Sequence, residues 1–143
     1  MAIQLIFDEL ANDGKDGIFG TLINPTTGSK WQACSIYPTV FPKNDWYETK
    51  WSNHPIHGWC YEISVPGHEG VLIHHGNWAG SVVDGEFSNF KGCLGLGKER
   101  ARMIPPGYTQ PQEAIEHSNQ AIAEFEAEMK KEDFTLVVTG VNK

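Results

Sequence analysis

The stretch Trp59-Cys-Tyr-Glu-Ile-Ser-Val65, Pro66-Gly67, Val71-Leu-Ile-His74 decides the fold class. Its first segment alternates aromatic or apolar residues with polar ones, and this period of two predicts a half-buried β-strand. The Pro-Gly pair predicts a turn, and the apolar run that follows predicts a second strand ending in a histidine. Two strands joined by a short turn are typical of an antiparallel sheet.

Similar short runs extend toward the N-terminus. Residues 3–7, 18–23 and 31–37 are rich in β-forming apolar residues. Between them lie Asn12-Asp-Gly14 and Asn24-Pro-Thr-Thr-Gly28, which are turn sequences. The first two thirds of the chain are therefore predicted to form short strands.

Residues 41–57 have no clear period and are rich in Trp, Tyr, Asn and Pro. Two interpretations stay open: a long aromatic and polar loop at the rim of a site, or an irregular part of the core. The tryptophans of this part of the chain fit stacking on sugar rings or burial in the core. They are Trp46, Trp51, Trp59 and Trp78.

The last third predicts a helix over residues 111–131. One apolar stripe recurs at spacings of three and four, formed by Ile115, Ser118, Ile122, Phe125 and Met129. Pro111 suits a first helical turn, and Glu113 and Glu116 suit the positive end of the helix dipole. Lys130 and Lys131 suit its negative end.

A last β-rich run, residues 134–139, predicts a closing strand. The chain is therefore predicted to be one domain over residues 1–143, α+β in class. It combines a mainly antiparallel β-domain with one packed C-terminal helix and the closing strand.

Composition excludes several classes of partner. The 143 residues carry a formal net charge of −7 and show no basic stripe, so nucleic acid is not expected as a ligand. No apolar stretch approaches the roughly 20 residues that cross a bilayer as a helix.

The first residues, Met1-Ala-Ile-Gln-Leu-Ile-Phe7, lack the basic region and long apolar core of a signal peptide. Synthesis in the cytoplasm is therefore expected. The three cysteines are odd in number and irregular in spacing, which favours free thiols over a disulfide framework.

Cys93 is the candidate nucleophile. Gly92 and Gly95 leave the backbone bare near the thiol, which allows a substrate to approach and N–H groups to face an oxyanion. Lys91 supplies a nearby cation that favours the thiolate. The alternative is a small buried side chain in a glycine-rich turn.

His74 and His75 are the candidate bases for Cys93. Side chains alternate along a strand, so the two imidazoles cannot both face one site if the strand continues. Gly76 is expected to end the strand, and Asn77 to bond the imidazole or polarise a carbonyl. The alternative is a pair of ordinary residues at a strand end.

The segments Ile73-His74-x-Gly76-Asn77 and Gly92-Cys93-Leu-x-Leu-Gly97 resemble a family of small proteins common in phages and prophages. Gly20-Thr-Leu22, Val65-Pro-Gly67 and Ser118-x-x-Ala121-x-x-x-Phe125 extend the resemblance over most of the chain. Residues 41–57 fit least, because the Ile-Pro-x-Gly-x-Tyr segment usual in the family is missing.

That family is in turn similar to the catalytic domain of L,D-transpeptidases, whose cysteine attacks the third-residue carbonyl of a peptidoglycan stem peptide. The resemblance implies that Cys93 is the nucleophile, that Gly92 is its preceding glycine, and that His74, or less well His75, is the base. The chain departs from the enzymes at Lys91, where they carry a histidine. Phe90 stands where they carry Ser or Thr, with Ser88 two residues upstream, and Gly95 replaces their Asn or Arg.

The function predicted is cysteine-dependent acyl transfer or hydrolysis on stem peptides, with no cofactor and no metal. Asn77, Lys91 and Ser88 are expected to contact the substrate. The resemblance also implies a phage or prophage association, other virion proteins as partners, and delivery in a virion or to the periplasm. The alternatives are a non-enzymatic virion or tail component that binds murein or serves assembly, and a cysteine peptidase or amidase on another peptide.

Two weaker motifs point elsewhere. Gly92-x4-Gly97-Lys98 nearly spells a phosphate loop, but Glu99 stands where Mg²⁺ binding needs Ser or Thr. His54, His57 and Cys60 are possible zinc ligands whose spacing matches no familiar zinc site. Surface histidines and a buried thiol are the simpler expectation there.

Overall fold

The computed structural model describes residues 1–142 and contains ten strands and one α-helix. The strands are β1 Ala2–Ala11, β2 Gly17–Ile23, β3 Lys30–Ser35, β4 Asp45–His54, β5 Gly58–Val65, β6 His68–His74, β7 Leu94–Gly97, β8 Glu99–Met103, β9 Gln112–Glu116 and β10 Phe134–Thr139. The helix is α1 Ser118–Met129, and short 3-10 turns cover Asn12–Gly14 and Val82–Asp84.

Eight of the strands close into a barrel in the order β1-β10-β4-β5-β6-β7-β3-β2, and β8 and β9 form a separate hairpin. Neighbouring strands of the barrel are antiparallel except for β1 with β10 and β6 with β7, which are parallel. The prediction of an α+β chain, mainly antiparallel and with one helix, is confirmed at this level.

The barrel interior is the main core. Alternate residues of each strand point inward, as the period of two requires. In β1 these are Ile3, Leu5 and Phe7, and in β5 they include Tyr61 and Ile63; all five side chains are almost fully buried. The alternation read from the sequence of β5 is therefore the alternation between the inside and the outside of the barrel.

Helix α1 packs on this core through Phe125. The Phe125 ring meets Trp31 at 5.3 Å, Tyr61 at 5.8 Å and Phe134 at 5.8 Å, each at a steep interplanar angle. Edge-to-face contacts of this kind add to the apolar burial. One helix thereby joins side chains from three strands of the barrel.

The predicted helix begins too early in the sequence. Gln112–Glu116 is a strand, β9, and α1 begins only at Ser118. The prediction that Pro111, Glu113 and Glu116 form the first helical turns is therefore wrong. Pairing decides the matter: Ile115 lies opposite Arg100 in the β8–β9 hairpin and is fully buried in a second apolar cluster.

His117 makes the junction between strand and helix. Its φ of 58° is left-handed, a conformation that non-glycine residues seldom adopt, and α1 follows at once. The stripe of α1 itself is Ser118, Ala121, Phe125 and Met129. At the other end α1 stops at Met129, and Lys130 and Lys131 follow with left-handed φ angles of 56° and 62°, so the predicted end at residue 131 is two residues too late.

Residues 41–57 are neither a loop nor irregular core over most of their length. Ten of them form β4, a strand that the mixed composition concealed. Phe41 lies in the barrel core, 5.2 Å from Tyr47 between ring centroids. None of the four tryptophans is fully buried: Trp46 is 74 % exposed, Trp59 is exposed, and Trp51 and Trp78 are partly buried.

The glycine-rich segment after Cys93 is a fully buried strand, β7, instead of a turn. It lies between β6 and β3 and pairs with both of these strands. Leu94 and Leu96 point into the core, so Gly95 and Gly97 face outward. This strand brings the cysteine segment beside the histidine segment.

Candidate functional site

His74 is the last residue of β6 and lies in register with Gly95 of β7. A side chain at Gly95 would meet the Phe90 ring, because a Cβ built there comes within 2.3 Å of Phe90 Cζ. Phe90 therefore occupies the space that glycine leaves, and its centroid lies 5.0 Å from the His74 ring. Gly76 also leaves room for the Phe90 ring, because a Cβ built there would come within 2.5 Å of Phe90 Cζ.

The imidazole of His74 is held in one tautomer. Its Nδ1 lies 2.7 Å from the backbone oxygen of His75. A carbonyl oxygen only accepts, so Nδ1 carries the hydrogen and the lone pair lies on Nε2. Burial lowers the pKa of His74, against the opposing effect of this hydrogen bond, and the nearby imidazoles lower it further. The neutral ring is thus a proton acceptor at Nε2.

His57 stacks on His74 from the turn between β4 and β5. Their centroids are 4.8 Å apart and the planes differ by 16°. His54 lies next in line, 5.3 Å from His57, and its Nδ1 accepts the backbone N–H groups of Ile56 and His57. His54 therefore organises the turn that presents His57.

The thiol of Cys93 is held by the backbone of β6. Its Sγ accepts the Leu72 N–H at 3.4 Å and lies 3.6 Å from the Gly70 oxygen, to which S–H can donate. The side chain is half-buried, and burial raises the pKa of Cys93 despite the Leu72 hydrogen bond. The resting group is a neutral thiol.

His74 and Cys93 thus come to adjacent strands without bonding to each other. Cys93 lies two residues before Gly95, the partner of His74, so the two residues are diagonal neighbours across the β6–β7 pair. Both border the apolar cluster that contains Phe90.

Of the other predicted site residues, Gly92 and Ser88 shape the backbone around Cys93, and Lys91 lies at the surface. Gly92 is buried with φ 114°, so glycine is needed there, and a Cβ would meet Val40. Lys91 is exposed at the surface. The Ser88 hydroxyl donates to the Phe90 oxygen and accepts the Phe90 N–H, so it shapes the loop that carries Phe90.

Asn77 does not hydrogen-bond the His74 ring. Its side chain donates to the Ile115 oxygen at 2.9 Å, which ties the end of β6 to β9. His75 follows β6, is exposed, and has its ring 6.2 Å from that of His74. The pair therefore divides as expected: His74 faces the cysteine strand, and His75 faces solvent.

A cleft of about 190 Å³ opens beside His74. Its lining comes from β5, β6, the β4–β5 turn and α1, and it consists of His57, Trp59, Cys60, Ile73, His74, His75, Ile122 and Glu126. Cys60 is buried, and burial raises its pKa to about 11. Glu126 is spaced with Glu124 and Glu128 as on the solvated face of a helix, so the sequence gives no sign that Glu126 lines this cleft.

A second and larger cavity, of about 610 Å³, lies away from the cysteine. It is lined by acidic residues, among them Asp16 and Glu86, with Arg102 and Tyr108. Asp16 is buried and accepts the Glu113 N–H at 3.0 Å. Burial and the adjacent Asp16 carboxylate raise the pKa of Glu86. The sequence does not predict this acidic cavity. Its only sign in this region is the turn sequence Asn12-Asp-Gly14, close to Asp16.

A row of paired residues joins the two regions across the outside of the barrel. His74 pairs with Gly95, Gly95 with Cys34, and Cys34 with Phe19. The Arg100 guanidinium lies 3.9 Å from the Phe19 centroid. Arg100 also forms ion pairs with Glu9 and Glu113, both of which line the acidic cavity.

One group of donors within residues 1–142 could hold a metal ion without rearrangement. Glu99 and Glu116 face each other across the β8–β9 hairpin, and His117 lies beside them. Their ligand atoms lie within 4.8 Å of one another. His54, His57 and Cys60 do not form such a group.

No family model matches this chain, and no curated protein or solved structure matches it either. Within residues 1–142, α1 is too short and too polar to span a membrane. All three cysteines are free: Cys34 and Cys60 are buried, and Cys93 is partly buried.

Proposed function

We propose that this chain is a cysteine acyltransferase or hydrolase of peptidoglycan stem peptides, with Cys93 as nucleophile and His74 as base. The observation that carries the proposal is the parallel pairing of β6 and β7, which sets His74 diagonally across from Cys93 with the Nε2 lone pair free. The choice of substrate follows from the motif resemblance to L,D-transpeptidases, and an L,D-transpeptidase-like architecture belongs to the same proposal.

The reaction begins from a neutral pair. The pKa of Cys93 is raised and that of His74 is lowered, so a preformed thiolate–imidazolium pair is disfavoured. Substrate binding turns the thiol from the Gly70 oxygen toward Nε2, and the imidazole takes the proton as sulfur attacks the amide carbonyl. Backbone N–H groups near Gly92 stabilise the oxyanion.

The second half-reaction regenerates the thiol. The C–N bond breaks, the imidazolium gives its proton to the departing amine of D-alanine, and a thioester to Cys93 remains. Water or an acceptor amine then attacks the thioester, and His74 takes the proton from the attacking group and returns it to sulfur. Water yields a carboxypeptidase and an amine yields a cross-link.

Mass spectrometry of tetrapeptide muropeptides incubated with the pure protein tests the proposal. Release of D-alanine or new cross-links is expected with the intact chain and with Cys34→Ala, which removes a buried thiol that does not line the cleft beside His74. Cys93→Ala is expected to abolish both. His74→Ala is expected to lower kcat/KM about 10²–10⁴-fold, as for loss of a general base.

Folding of each variant is checked by its thermal transition. Identical muropeptide spectra with and without the intact protein would contradict the proposal. Turnover that survives in Cys93→Ala would contradict the assignment of the nucleophile.

A second candidate function is non-enzymatic binding of murein by a virion or tail component. Two observations favour it: the neutral, backbone-bonded thiol of Cys93, and the exposed Trp59 stacked on Trp51 at an interplanar angle of 15°. Stacked indoles at a surface suit sugar rings. Sedimentation with purified sacculi that Trp59→Ala abolishes, without any product, would favour this function over catalysis.

A further inference from the structure

Two carboxylates face each other at the neck of the β8–β9 hairpin, the end at which the chain enters β8 and leaves β9. Glu99 is the first residue of β8 and Glu116 is the last residue of β9, and the two are direct cross-strand partners. Like charges placed directly opposite on an antiparallel pair repel each other and destabilise the pairing. A cation held between the two side chains would remove this repulsion.

The basic residues beside Glu99 do not supply that cation. Lys98 forms an ion pair with Glu124 of α1. Arg100 forms ion pairs with two other carboxylates, and by the alternation along β8 its side chain points away from that of Glu99. Within residues 1–142, neither Glu99 nor Glu116 takes part in an ion pair. The cation that balances these two carboxylates therefore comes from solution.

A third donor lies beside the two carboxylates. His117 follows β9 directly, and its left-handed backbone, with φ 58°, turns the chain into α1. Its side chain makes no capping hydrogen bond with the helix, so the imidazole is not engaged there. One ligand atom from each of Glu99, Glu116 and His117 lies within 4.8 Å of the other two.

This mixture of donors distinguishes between metal ions. Ca²⁺ takes about six to eight oxygen ligands, and Mg²⁺ prefers an octahedral shell of oxygens that includes several waters. Zn²⁺ binds imidazole nitrogen and carboxylate oxygen alike, at about 2.0–2.2 Å. The donors of one tetrahedral ion then lie roughly 3.3 Å apart. Small rotations of these exposed or half-buried side chains bring the donors to that spacing without any movement of the backbone.

The backbone that carries the donors is held in place. The N–H of Lys98 donates to the Glu116 oxygen at 2.9 Å, and the N–H of Ile115 donates to the Asn77 oxygen at 2.9 Å. The Ile115 side chain is fully buried in the second apolar cluster. The His117 oxygen accepts a helical hydrogen bond of α1 at 3.0 Å. Donors on a preorganised backbone lose less conformational entropy when an ion binds.

We propose that Glu99, Glu116 and His117 bind a divalent transition-metal ion of the zinc type, which closes the neck of the β8–β9 hairpin and ties it to the start of α1. Three protein donors leave one position of a tetrahedral ion for water. Glu99 and His117 are exposed, so the ion enters directly from solvent. The inference does not depend on the cysteine chemistry proposed above.

Isothermal titration of Zn²⁺ into the intact chain, after treatment with EDTA, measures the affinity. His117→Asn and Glu99→Gln each remove one donor, and asparagine is chosen because it tolerates the left-handed backbone. Each variant is expected to bind Zn²⁺ at least about tenfold more weakly, since loss of a residue that only orients a ligand already weakens metal binding about 10–100-fold. The matched control is His68→Asn, which removes an exposed histidine of β6 and is expected to leave the affinity unchanged.

Thermal unfolding tests the closing of the hairpin. Zn²⁺ at about a hundredfold excess over its Kd is expected to raise the Tm of the intact chain by about 5 °C or more. His117→Asn and Glu99→Gln are expected to show at most about half of that rise. Without Zn²⁺, Glu99→Gln is expected to be at least as stable as the intact chain, because it removes the repulsion from Glu116.

Four results would each overturn the inference: no measurable binding of Zn²⁺, equal affinities in the intact chain and both variants, a full rise in Tm that survives in both variants, or an equal rise with Mg²⁺. Equal affinities would mean that Zn²⁺ binds adventitiously at other histidines or thiols. None of these results bears on the muropeptide assay of Cys93, so the two proposals fail separately.

Discussion

The cleft at His74 and the acidic cavity at Asp16 lie on the same barrel and differ in how they are built. The cleft is small and lined by imidazoles, an indole, a thiol and one carboxylate. The acidic cavity is about three times larger, 610 against 190 Å³, and is lined mainly by polar groups with several carboxylates. Its residues come from distant parts of the sequence, including Asp16, Glu86 and Glu113.

Burial drives both regions toward neutral side chains, with different chemical results. In the first it lowers the pKa of His74 and raises that of Cys93, so the imidazole keeps a free lone pair and the thiol keeps its proton. In the second, burial and the Asp16 carboxylate raise the pKa of Glu86, which leaves an acid that keeps its proton longer. The two regions differ in cause: burial comes first in both, but in the acidic cavity a neighbouring carboxylate adds to the shift of Glu86.

The largest expected difference between the two regions is the loss of unfolding free energy when an aromatic side chain is removed from each. Phe90 is buried and fills the space over Gly95 and Gly76, so Phe90→Ala is expected to cost about 3 kcal/mol of unfolding free energy or more. Tyr108 lines the acidic cavity and is 41 % exposed, so Tyr108→Ala is expected to change stability by no more than about 0.5 kcal/mol.

Urea unfolding of the two variants checks this contrast. Equal losses would mean that the acidic cavity is as much a part of the packed structure as the histidine face. A loss below about 1 kcal/mol for Phe90→Ala would mean that the residues around Gly95 move into the space of the Phe90 ring and leave no cavity.

A smaller effect concerns the reactivity of Cys93 with pH. Its pKa is raised above the ordinary value of 9.0 by burial, so the thiolate is scarce at neutral pH. The rate of alkylation by iodoacetamide is expected to rise about tenfold per pH unit from pH 7 to 9. Peptide mapping distinguishes Cys93 from the buried Cys34 and Cys60, which serve as internal controls.

A rate that levels off below pH 8 would indicate a preformed thiolate stabilised by His74. That result would contradict the neutral pair.

The smallest effect is expected at Glu86. Its folded-state pKa is raised, so the folded protein holds this proton more tightly than the unfolded chain does. The stability it contributes is complete in acid, below the unfolded value, and is lost as pH rises through the folded value. Glu86→Gln removes the repulsion from Asp16 and is expected to stabilise the protein at pH 7 by no more than about 0.5 kcal/mol, since solvent screens the pair.

Urea unfolding at pH 7 and pH 4 measures this effect. The advantage of Glu86→Gln is expected to disappear at pH 4, where the natural side chain is largely protonated. Glu69→Gln, at an exposed carboxylate on β6, is the control and is expected to have no such pH dependence. A destabilising Glu86→Gln at both pH values would mean that a favourable contact of the Glu86 carboxyl group outweighs the repulsion from Asp16.

Sequence patterns predicted the strands wherever inside and outside alternate. The run at residues 134–139 is β10 to the residue, and residues 59–65 fall within β5. Sequence patterns failed where pairing between strands decides the structure against the local periodicity. Ile115 matches a helical stripe with Phe125, yet it is buried in β9 because β8 pairs with that segment. Residues 45–54 form β4 although their composition suggests no period.

The sequence predicted only part of the candidate site, because several of its contacts depend on the pairing and packing of distant segments. His74 and Cys93 lie in two short motifs, so a sequence singles them out, and the structure has His74 at the end of β6 and Cys93 just before β7. Asn77 was expected at the imidazole and instead bonds the Ile115 oxygen, a contact that depends on β9. Glu126 and His57 enter the cleft only through the helix and the turn that carry them.

The sequence by itself determined that the chain is one mainly β unit with a single helix, and that a glycine-flanked cysteine follows a histidine strand. Alternation, turn residues and local motifs carry that information because each acts within a few residues along the chain. Only the tertiary structure decided that the barrel closes, that the thiol of Cys93 bonds to β6, and that Asp16 and Glu86 share a cavity. These features depend on register and burial between distant segments, and a local pattern carries no information about either.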